Sequence, residues 1–152
     1  MMAKRFRQTK PAVPRDVEAS LRKQAFAAPR VVELMNAIRT DEEKPLCIEF
    51  FFYAKEEPDA GRLVAALSVL GYNAQHYHSA HSGKYSINGW TPPLPSDAEA
   101  MGTWSKAMVR LAVRFHAEFD GWGTFPEQEE GFFDLIQRGE ESLPGGEDAA
   151  EA

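Results

Sequence analysis

Three histidines in the middle of the chain have a spacing that could support metal chemistry. His76 and His78 are two positions apart in a predicted strand, so their side chains point to one face, and His81 follows shortly after. Imidazole nitrogens are common ligands of transition metals, which makes these residues candidate metal ligands. A stable site needs further ligands, and no second cluster of His, Cys or carboxylate residues has a matching spacing. We therefore predict an exposed strand face that carries histidines and binds no metal.

Two carboxylates further along the chain could support acid–base chemistry. Glu118 and Asp120 alternate onto one face of a predicted strand, and paired carboxylates can act as general acid and base. Catalysis also needs a companion base and a cleft, and the sequence indicates neither. There is no nucleophile elbow, P-loop or dinucleotide fingerprint, and no helix start follows Gly121-Trp122-Gly123 to hold a phosphate. The sequence thus predicts a protein that is not an enzyme and takes no cofactor, with an enzyme of unrecognised site as an alternative.

Charge is distributed unevenly along the 152-residue chain, whose formal net charge is −6. Residues 1–30 have eight basic and two acidic residues, whereas residues 117–152 have eleven acidic residues and one basic residue. The acidic body disfavours direct binding of nucleic acid. The single cysteine, Cys47, excludes an intramolecular disulfide, and no apolar stretch approaches the length of a membrane span. We expect a cytoplasmic protein that does not contact a membrane.

The N-terminal part of the chain is predicted to place helices before the main domain. Residues 1–14 are basic and poor in apolar groups, so we expect a flexible tail. Apolar residues at helical spacing predict one helix over 16–28, which Pro29 should end, and a second helix through Arg39. We assign residues 15–45 to these helices and a linker.

The segment 46–54 has the strongest strand signal in the chain. Residues 50–53 are four consecutive aromatics, a composition that favours a strand, and alternation places Ile48, Phe50 and Phe52 on one face. Both faces of the strand carry aromatic rings. This pattern is typical of a central strand, or of an open face that contacts a partner.

A helix and a hairpin should follow this strand. The helix begins at Pro58 and ends at Gly71, which is suited to a helix terminus. Its predicted buried stripe consists of Leu63, Ala66, Leu67 and Leu70. Two further strands are predicted over 72–78 and 84–90, and the Ser- and Gly-containing segment between them favours a hairpin.

The last predicted helix begins with a capping box, in which Ser96 is followed three residues later by Glu99. Its predicted buried stripe consists of Trp104, Met108, Leu111 and Phe115. A final strand over 119–125 should place Phe119 and Gly121 toward the helices and Asp120 and Trp122 outward.

The order of elements over residues 46–126 is strand, helix, strand, strand, helix, strand. This order predicts an α+β fold of the ferredoxin-like split βαβ type, a four-stranded antiparallel sheet with two helices on one face. Residues 127–152 form an acidic C-terminal tail that we expect to be partly disordered, over its last ten residues above all. Phe132, Phe133, Leu135 and Ile136 could dock as a short helix.

Several motifs resemble those of the regulator of ribonuclease activity B family. The most specific is Asp120-Gly121-Trp122-Gly123, directly after the last helix and before an acidic stretch. Ile48-Glu49 at the start of the first strand and Leu70-Gly71-Tyr72 before the second are also similar. The resemblance covers roughly residues 31–126. It implies a ferredoxin-like fold and a protein inhibitor that binds ribonuclease E, an endonuclease of bacterial messenger RNA decay, without catalysis.

We therefore expect a protein partner, and a ribonuclease E-type nuclease is the partner that the resemblance implies. The acidic residues around the last strand should contact it, with Trp122 and Tyr53 as anchors if they are exposed. The candidate partner-binding residues are Glu118, Asp120, Trp122, Glu127, Glu129 and Glu130.

An alternative function is binding of single-stranded RNA. Sheets of the predicted topology can stack bases on exposed aromatic rings. The rings available for such stacking are Phe51, Tyr53, Tyr77 and Tyr85. The glycine- and aromatic-rich strand motif of such modules is missing, and the acidic body opposes this function.

Overall fold

Five strands and four helices make up the part of the chain that the structure describes. This computed structural model describes residues 6–7, 17–36 and 44–139; most of the predicted tail and linker and the last ten residues lie outside these ranges. The strands are β1 (Phe6–Arg7), β2 (Glu49–Ala54), β3 (Asn73–His78), β4 (Tyr85–Trp90) and β5 (Ala117–Thr124). The helices are α1 (Val17–Asn36), α2 (Glu57–Val69), α3 (Ala98–Arg114) and α4 (Phe132–Gln137). Within the described ranges, no helix is long and apolar enough to cross a membrane.

The strands form one antiparallel sheet in the order β1-β5-β2-β4-β3. The four predicted strands correspond to β2 through β5, and the prediction of an α+β fold is confirmed. The sheet also has a strand that was not predicted. In β1, Phe6 lies opposite Thr124 and Arg7 lies opposite Gly123, so these two residues of the predicted flexible tail are paired in the sheet.

One face of the sheet packs against α2 and α3 and forms the main core. Phe50 and Phe52 point into it and are 0% and 2% exposed, as alternation along β2 predicts. The ring of Phe52 lies 5.2 Å from that of Phe119, measured between centroids. Leu63 and Leu67 of α2 belong to the same core cluster, to which the rings contribute a large apolar area.

The end of α2 is a Schellman motif. Gly71 has a φ of +89°, the amide of Gly71 donates to the Ser68 carbonyl at 2.9 Å, and the amide of Tyr72 donates to the Leu67 carbonyl at 3.0 Å. The motif packs Tyr72 against the core and leaves Leu70 56% exposed. The prediction that Leu70 completes the buried stripe is therefore wrong, because the helix ends before it.

The start of α3 differs from the predicted capping box. Asp97 is the cap, and its carboxylate accepts a hydrogen bond from the Ala100 amide at 2.9 Å. Ser96 is buried, and its hydroxyl donates to the carbonyl of Lys44 at 3.3 Å. The predicted box of Ser96 and Glu99 is wrong, because a long-range contact occupies the serine.

α1 is a single helix rather than the two helices predicted on either side of Pro29. It runs through this proline, although the ring removes one amide donor from the helix interior. α1 packs along α3, which itself contacts β5, and Val31 and Val32 are buried in the main core. Tertiary packing thus outweighs the local preference of proline to end a helix.

A β-bulge interrupts β5 next to β2. Phe52 lies opposite Phe119 while Phe51 lies opposite Gly121, so Asp120 is the extra residue. Gly121 has a φ of +114°, a conformation that glycine adopts without steric cost. Side chains after the bulge therefore point to the face opposite to the one that simple alternation from Phe119 predicts.

The bulge turns Trp122 into the core. Trp122 is 0% exposed, and its ring meets that of Trp104 edge-on with centroids 6.4 Å apart. Simple alternation predicts that Trp122 faces outward with Asp120, and the extra residue shifts the alternation by one position. That prediction is wrong for this reason, whereas Phe119 faces the helices as predicted.

A second apolar cluster lies at one end of the opposite sheet face. The Phe132 ring lies 5.2 Å from that of Trp90 and 5.3 Å from that of Phe125. Ile136 and Cys47 complete the cluster. The predicted docking of a short helix from Phe132 is confirmed, and α4 covers this end of the sheet.

The side chain of Gln128 ties the segment before α4 to the segment before β2. Its Oε1 accepts a hydrogen bond from the Cys47 amide at 2.7 Å, and its Nε2 donates to the Cys47 carbonyl at 2.9 Å. The same Nε2 lies 3.0 Å from the Phe125 carbonyl and from the Thr124 hydroxyl oxygen. Gln128 is 5% exposed, so it satisfies backbone groups that water cannot reach.

Candidate interaction surface

Of the helices that the structure describes, α4 lies on the sheet face opposite α2 and α3, and it occupies one end of that face. The strand register places polar and aromatic side chains from four strands on the remainder. We call this surface the open sheet face, and it consists of Phe51, Tyr53, Gln75, Tyr77, Ser86, Asn88, Glu118 and Asp120.

One half of the open sheet face, on β3 and β4, is a polar network. The amide nitrogen of Gln75 donates to Oδ1 of Asn88 at 2.5 Å, and Nδ2 of Asn88 lies 3.4 Å from the Tyr77 hydroxyl. Tyr77 is 45% exposed. This half therefore offers hydrogen-bonding groups beside an accessible aromatic ring.

The other half, on β2 and β5, is centred on the pair of Tyr53 and Glu118. The Tyr53 hydroxyl donates to Oε1 of Glu118 at 2.5 Å. Burial, then this hydrogen bond, and then the charges of Glu118 and Asp120 raise the pKa of the Tyr53 phenol well above its usual range. The phenol thus stays protonated as a donor to the carboxylate that lies beside its ring.

Lys84 places its ammonium group over the ring of Tyr53. Its Nζ lies 4.4 Å from the ring centroid, within the range of a cation–π interaction. Lys84 precedes Ser86, which lies opposite Tyr53, by two residues, so it reaches the ring from a diagonal position on the same face. The face of this tyrosine is therefore a site where a cation already resides.

The structure separates the six residues that the sequence suggested for partner binding. It brings Glu118 and Asp120 together beside Tyr53, and both carboxylates are partly buried. It places Trp122 in the core. A role of Trp122 as an anchor required an exposed ring, and the ring is buried. In the motif, the backbones of Gly121 and Gly123 are buried beside β2.

The remaining three acids lie elsewhere. Glu127, Glu129 and Glu130 are exposed and follow the end of β5 that is opposite to Glu118. The strand from residue 118 to residue 124 spans about 20 Å, so these acids do not share one patch with Glu118. Two separate acidic surfaces result, and only one of them carries tyrosines.

The three histidines do not converge on a common point. Nε2 of His76 lies 3.3 Å from a carboxylate oxygen of Glu57 in α2, and the His78 ring packs on Tyr85 with centroids 4.8 Å apart. His81 is exposed in the turn between β3 and β4. Among the described residues, no group of three or more His, Cys, Asp or Glu side chains is arranged to hold a metal ion.

A cleft of about 440 Å³ opens beside the open sheet face, between α1, α3 and the adjoining ends of β2 and β5. Tyr53 and Glu118 line it and thereby join it to that face, and Lys55 and Asp59 add charge. Its wall also includes His116, whose φ of +56° marks the tight turn between α3 and β5. The cleft could receive a side chain of a molecule that lies across the open sheet face.

Sequence reasoning missed Lys84, Gln75 and Asn88 as members or neighbours of this surface. Their association depends on the register of β3, β4 and β2, which local composition does not fix. Cys47 is 1% exposed, and burial raises the pKa of its thiol to about 12.

The fold and this surface define a class of protein. Helices cover one face of an antiparallel sheet, and within the described ranges the other face stays partly open with tyrosines and carboxylates. The family model described as Regulator of ribonuclease activity B matches residues 27–124, and the chain belongs to this family. The resemblance of the motif at Asp120 is thereby confirmed. No curated protein matches the chain.

The matched range contains β2 through β5 with α2 and α3, so it includes every residue of the open sheet face. By its description, the family consists of regulators of ribonuclease activity. α4 and its contacts at Trp90 and Phe125 involve residues beyond the matched range.

Proposed function

We propose that the protein binds a ribonuclease E-type endoribonuclease through the open sheet face and inhibits it, without catalysis of its own. The observation that carries this proposal is the pair of Tyr53 and Glu118, with Asp120 nearby, on a face that the described helices leave accessible. Membership in a family of ribonuclease regulators supports it.

The physical basis is competition for a basic surface. A nuclease holds RNA phosphates largely with Lys and Arg side chains, and an acidic protein surface is attracted to the same groups. Complementary charge speeds the encounter and fixes the register of the complex. Tyrosines are frequent anchors in protein interfaces because they bury a large ring and retain a hydroxyl.

We infer that the sheet and its helices have the ferredoxin-like arrangement. β4 lies between β2 and β3 and is antiparallel to both, while β2 lies between β4 and β5 and is antiparallel to both. The units β2-α2-β3 and β4-α3-β5 are thus interleaved, which supports a split βαβ sandwich.

The test is an inhibition titration with a purified ribonuclease E-type enzyme and a fluorescent RNA substrate. We expect cleavage to slow as the protein is added, with a midpoint that rises with salt because the attraction is electrostatic. The double variant Glu118→Gln and Asp120→Asn should raise the midpoint about tenfold, since it removes two charges and keeps the shapes of both side chains. The matched control, Glu129→Gln with Glu130→Gln, should leave the midpoint unchanged.

Unslowed cleavage, or a midpoint that does not respond to salt, would contradict the proposal. Binding of single-stranded RNA is the second candidate, since the 45% exposure of Tyr77 offers a ring for stacking. Retention of the RNA by the protein in a filter titration without nuclease would favour that candidate.

A further inference from the structure

We propose that Tyr53 and Glu118 form a recognition site for an arginine side chain in an extended basic segment of the partner, and that Lys84 occupies this site in the free protein. The inference rests on the proposed function, because it names the chemistry of the partner at the same surface. Three features of the open sheet face support it.

The first feature is the resident cation. The ammonium of Lys84 lies 4.4 Å from the centroid of the Tyr53 ring. An aromatic ring attracts a cation through the negative potential of its face, and the nearby carboxylates of Glu118 and Asp120 strengthen this attraction. The geometry of the molecule itself therefore shows what kind of group the ring face accepts.

The second feature is the fit to a guanidinium group. Tyr53 donates to Oε1 of Glu118, and a carboxylate has lone pairs for about four hydrogen bonds, so the acid can accept further donors. Arginine is planar, stacks on aromatic rings and donates two parallel hydrogen bonds to a carboxylate, whereas lysine is a point charge. An incoming arginine can thus satisfy the ring and the acid together, which Lys84 does not do.

The third feature is the row of groups that continues from Tyr53. Tyr77 lies opposite Ser86, and Ser86 lies opposite Tyr53, so the two tyrosines are in one cross-strand row about 10 Å apart. Tyr77 is 45% exposed, with Asn88 at its hydroxyl. This row gives an extended segment that crosses the strands a second aromatic contact beyond the arginine site.

Lys84 is placed where it can leave. It lies at the end of the turn between β3 and β4, whose residues 80–83 are exposed, and its side chain is a flexible four-carbon stem. A partner arginine therefore competes with a weak internal ligand, and that competition lowers the apparent affinity of the free protein.

The test measures the affinity of the purified full chain for a short oligo-arginine peptide by calorimetry. Lys84→Met removes the internal cation and keeps the stem, so the peptide should bind about two- to fivefold more tightly. Lys106→Met on α3 removes the same charge away from the open sheet face and should produce no such gain. Tyr53→Leu and Glu118→Gln should each weaken binding, with folding checked by circular dichroism, and Glu118→Gln keeps the acceptor for the Tyr53 hydroxyl.

The same assay identifies other occupants. The double variant Lys4→Gln and Arg5→Gln tests the N-terminal basic residues as competitors. If it tightens peptide binding and Lys84→Met does not, those residues compete for the site, and the assignment of Lys84 is overturned. Equal binding by the Lys84→Met and Lys106→Met variants would also overturn it.

Failure of the inference and failure of the proposed function have different signatures. If the nuclease is inhibited but Lys84→Met has no effect on peptide affinity, the regulatory function stands and the arginine site does not. If the variants alter peptide affinity as expected while the nuclease is unaffected, the site stands and the proposed target is wrong.

Discussion

The phenol of Tyr53 lies between two charges of opposite sign. The ammonium of Lys84 lies over the Tyr53 ring, and the carboxylate of Glu118 accepts a hydrogen bond from the Tyr53 hydroxyl. The two charges act in opposite directions on the phenolic proton. The lysine stabilises a phenolate, whereas burial and the carboxylates oppose it more strongly, so the pKa of the phenol is raised. The result at the scale of one residue is a tyrosine that remains a hydrogen-bond donor in alkaline solution.

This balance predicts how stability depends on pH. The raised pKa means that the folded protein keeps the phenolic proton at a pH where the unfolded chain, with a pKa near 10, has lost it. The contribution of Tyr53 to stability is therefore complete below about pH 10 and is lost as the pH rises through the folded pKa. Urea unfolding at neutral pH and above pH 10 should show a larger loss for the wild type than for Tyr53→Phe. An equal loss in both would contradict the assigned cause.

At the scale of elements, α4 is attached by a side chain rather than by strand pairing. The side chain of Gln128 forms hydrogen bonds with the amide and the carbonyl of Cys47. The rings of Trp90, Phe125 and Phe132 pack against one another beside it. The helix itself has only six residues, too few for stability of its own. Its position therefore depends on the glutamine and on the aromatic cluster.

Removal of the glutamine side chain should loosen this attachment. Gln128→Ala leaves the Cys47 amide buried without its partner, which costs about 1–3 kcal/mol. The free energy of unfolding should fall by that amount, and alkylation of Cys47 should accelerate, because its burial and its pKa of about 12 make the thiol slow to react in the wild type. Gln137→Ala, at an exposed position of α4, is the control and should change neither. A Gln128→Ala protein with wild-type alkylation would show that the aromatic cluster alone holds the helix.

At the scale of the whole molecule, one core connects three layers. α1 packs on α3, α3 packs on the sheet, and Trp122 lies where α3 and the sheet meet, beside Trp104. Its indole Nε1 is buried and has no hydrogen-bond partner among the described residues. Trp122 therefore contributes through its apolar area, and the cooperative unfolding of the whole unit depends on it.

Truncation at this position should destabilise the entire fold. Trp122→Ala should lower the free energy of unfolding by about 3–5 kcal/mol, because it leaves a large cavity. Trp122→Phe should cost less, since it keeps a ring and removes the unpaired indole nitrogen. Urea unfolding followed by circular dichroism measures both, and Val69→Ala, at a residue 87% exposed, should have little effect. A stable Trp122→Ala protein that fails to bind its partner would instead place this residue on a contact surface.

Features that depend on neighbouring residues were predictable from the sequence, and features that depend on contacts between distant residues were not. β2 was predictable because four aromatics and their alternation are local signals, and the end of α2 was predictable because Gly71 supplies the required φ. The orientation of Trp122 was not, because a bulge depends on the register with β2. Ser96 and Asp97 are both good caps; the hydroxyl of Ser96 bonds the distant carbonyl of Lys44, and Asp97 caps the helix.

The candidate site follows the same rule. Glu118 and Asp120 were identified from sequence because they are neighbours in one strand, and the structure places them together beside Tyr53. Lys84 joins them from the turn before β4, through a pairing register of β4 with β2 that no local pattern specifies.

The bulge at Asp120 sets a constraint on backbone conformation that differs from any constraint on side-chain identity at that position. Its carboxylate is partly exposed, so the core accepts a substitution there. Loss of the residue would remove the bulge and still leave Trp122 opposite Phe50, on the core side. Regular pairing of every residue of β5 would instead turn Trp122 to the solvent side, and the bulge, with its positive φ at Gly121, avoids this. Natural variants of this protein should therefore tolerate many residues, or a deletion, at position 120, whereas variants that keep the residue should also keep glycine at position 121.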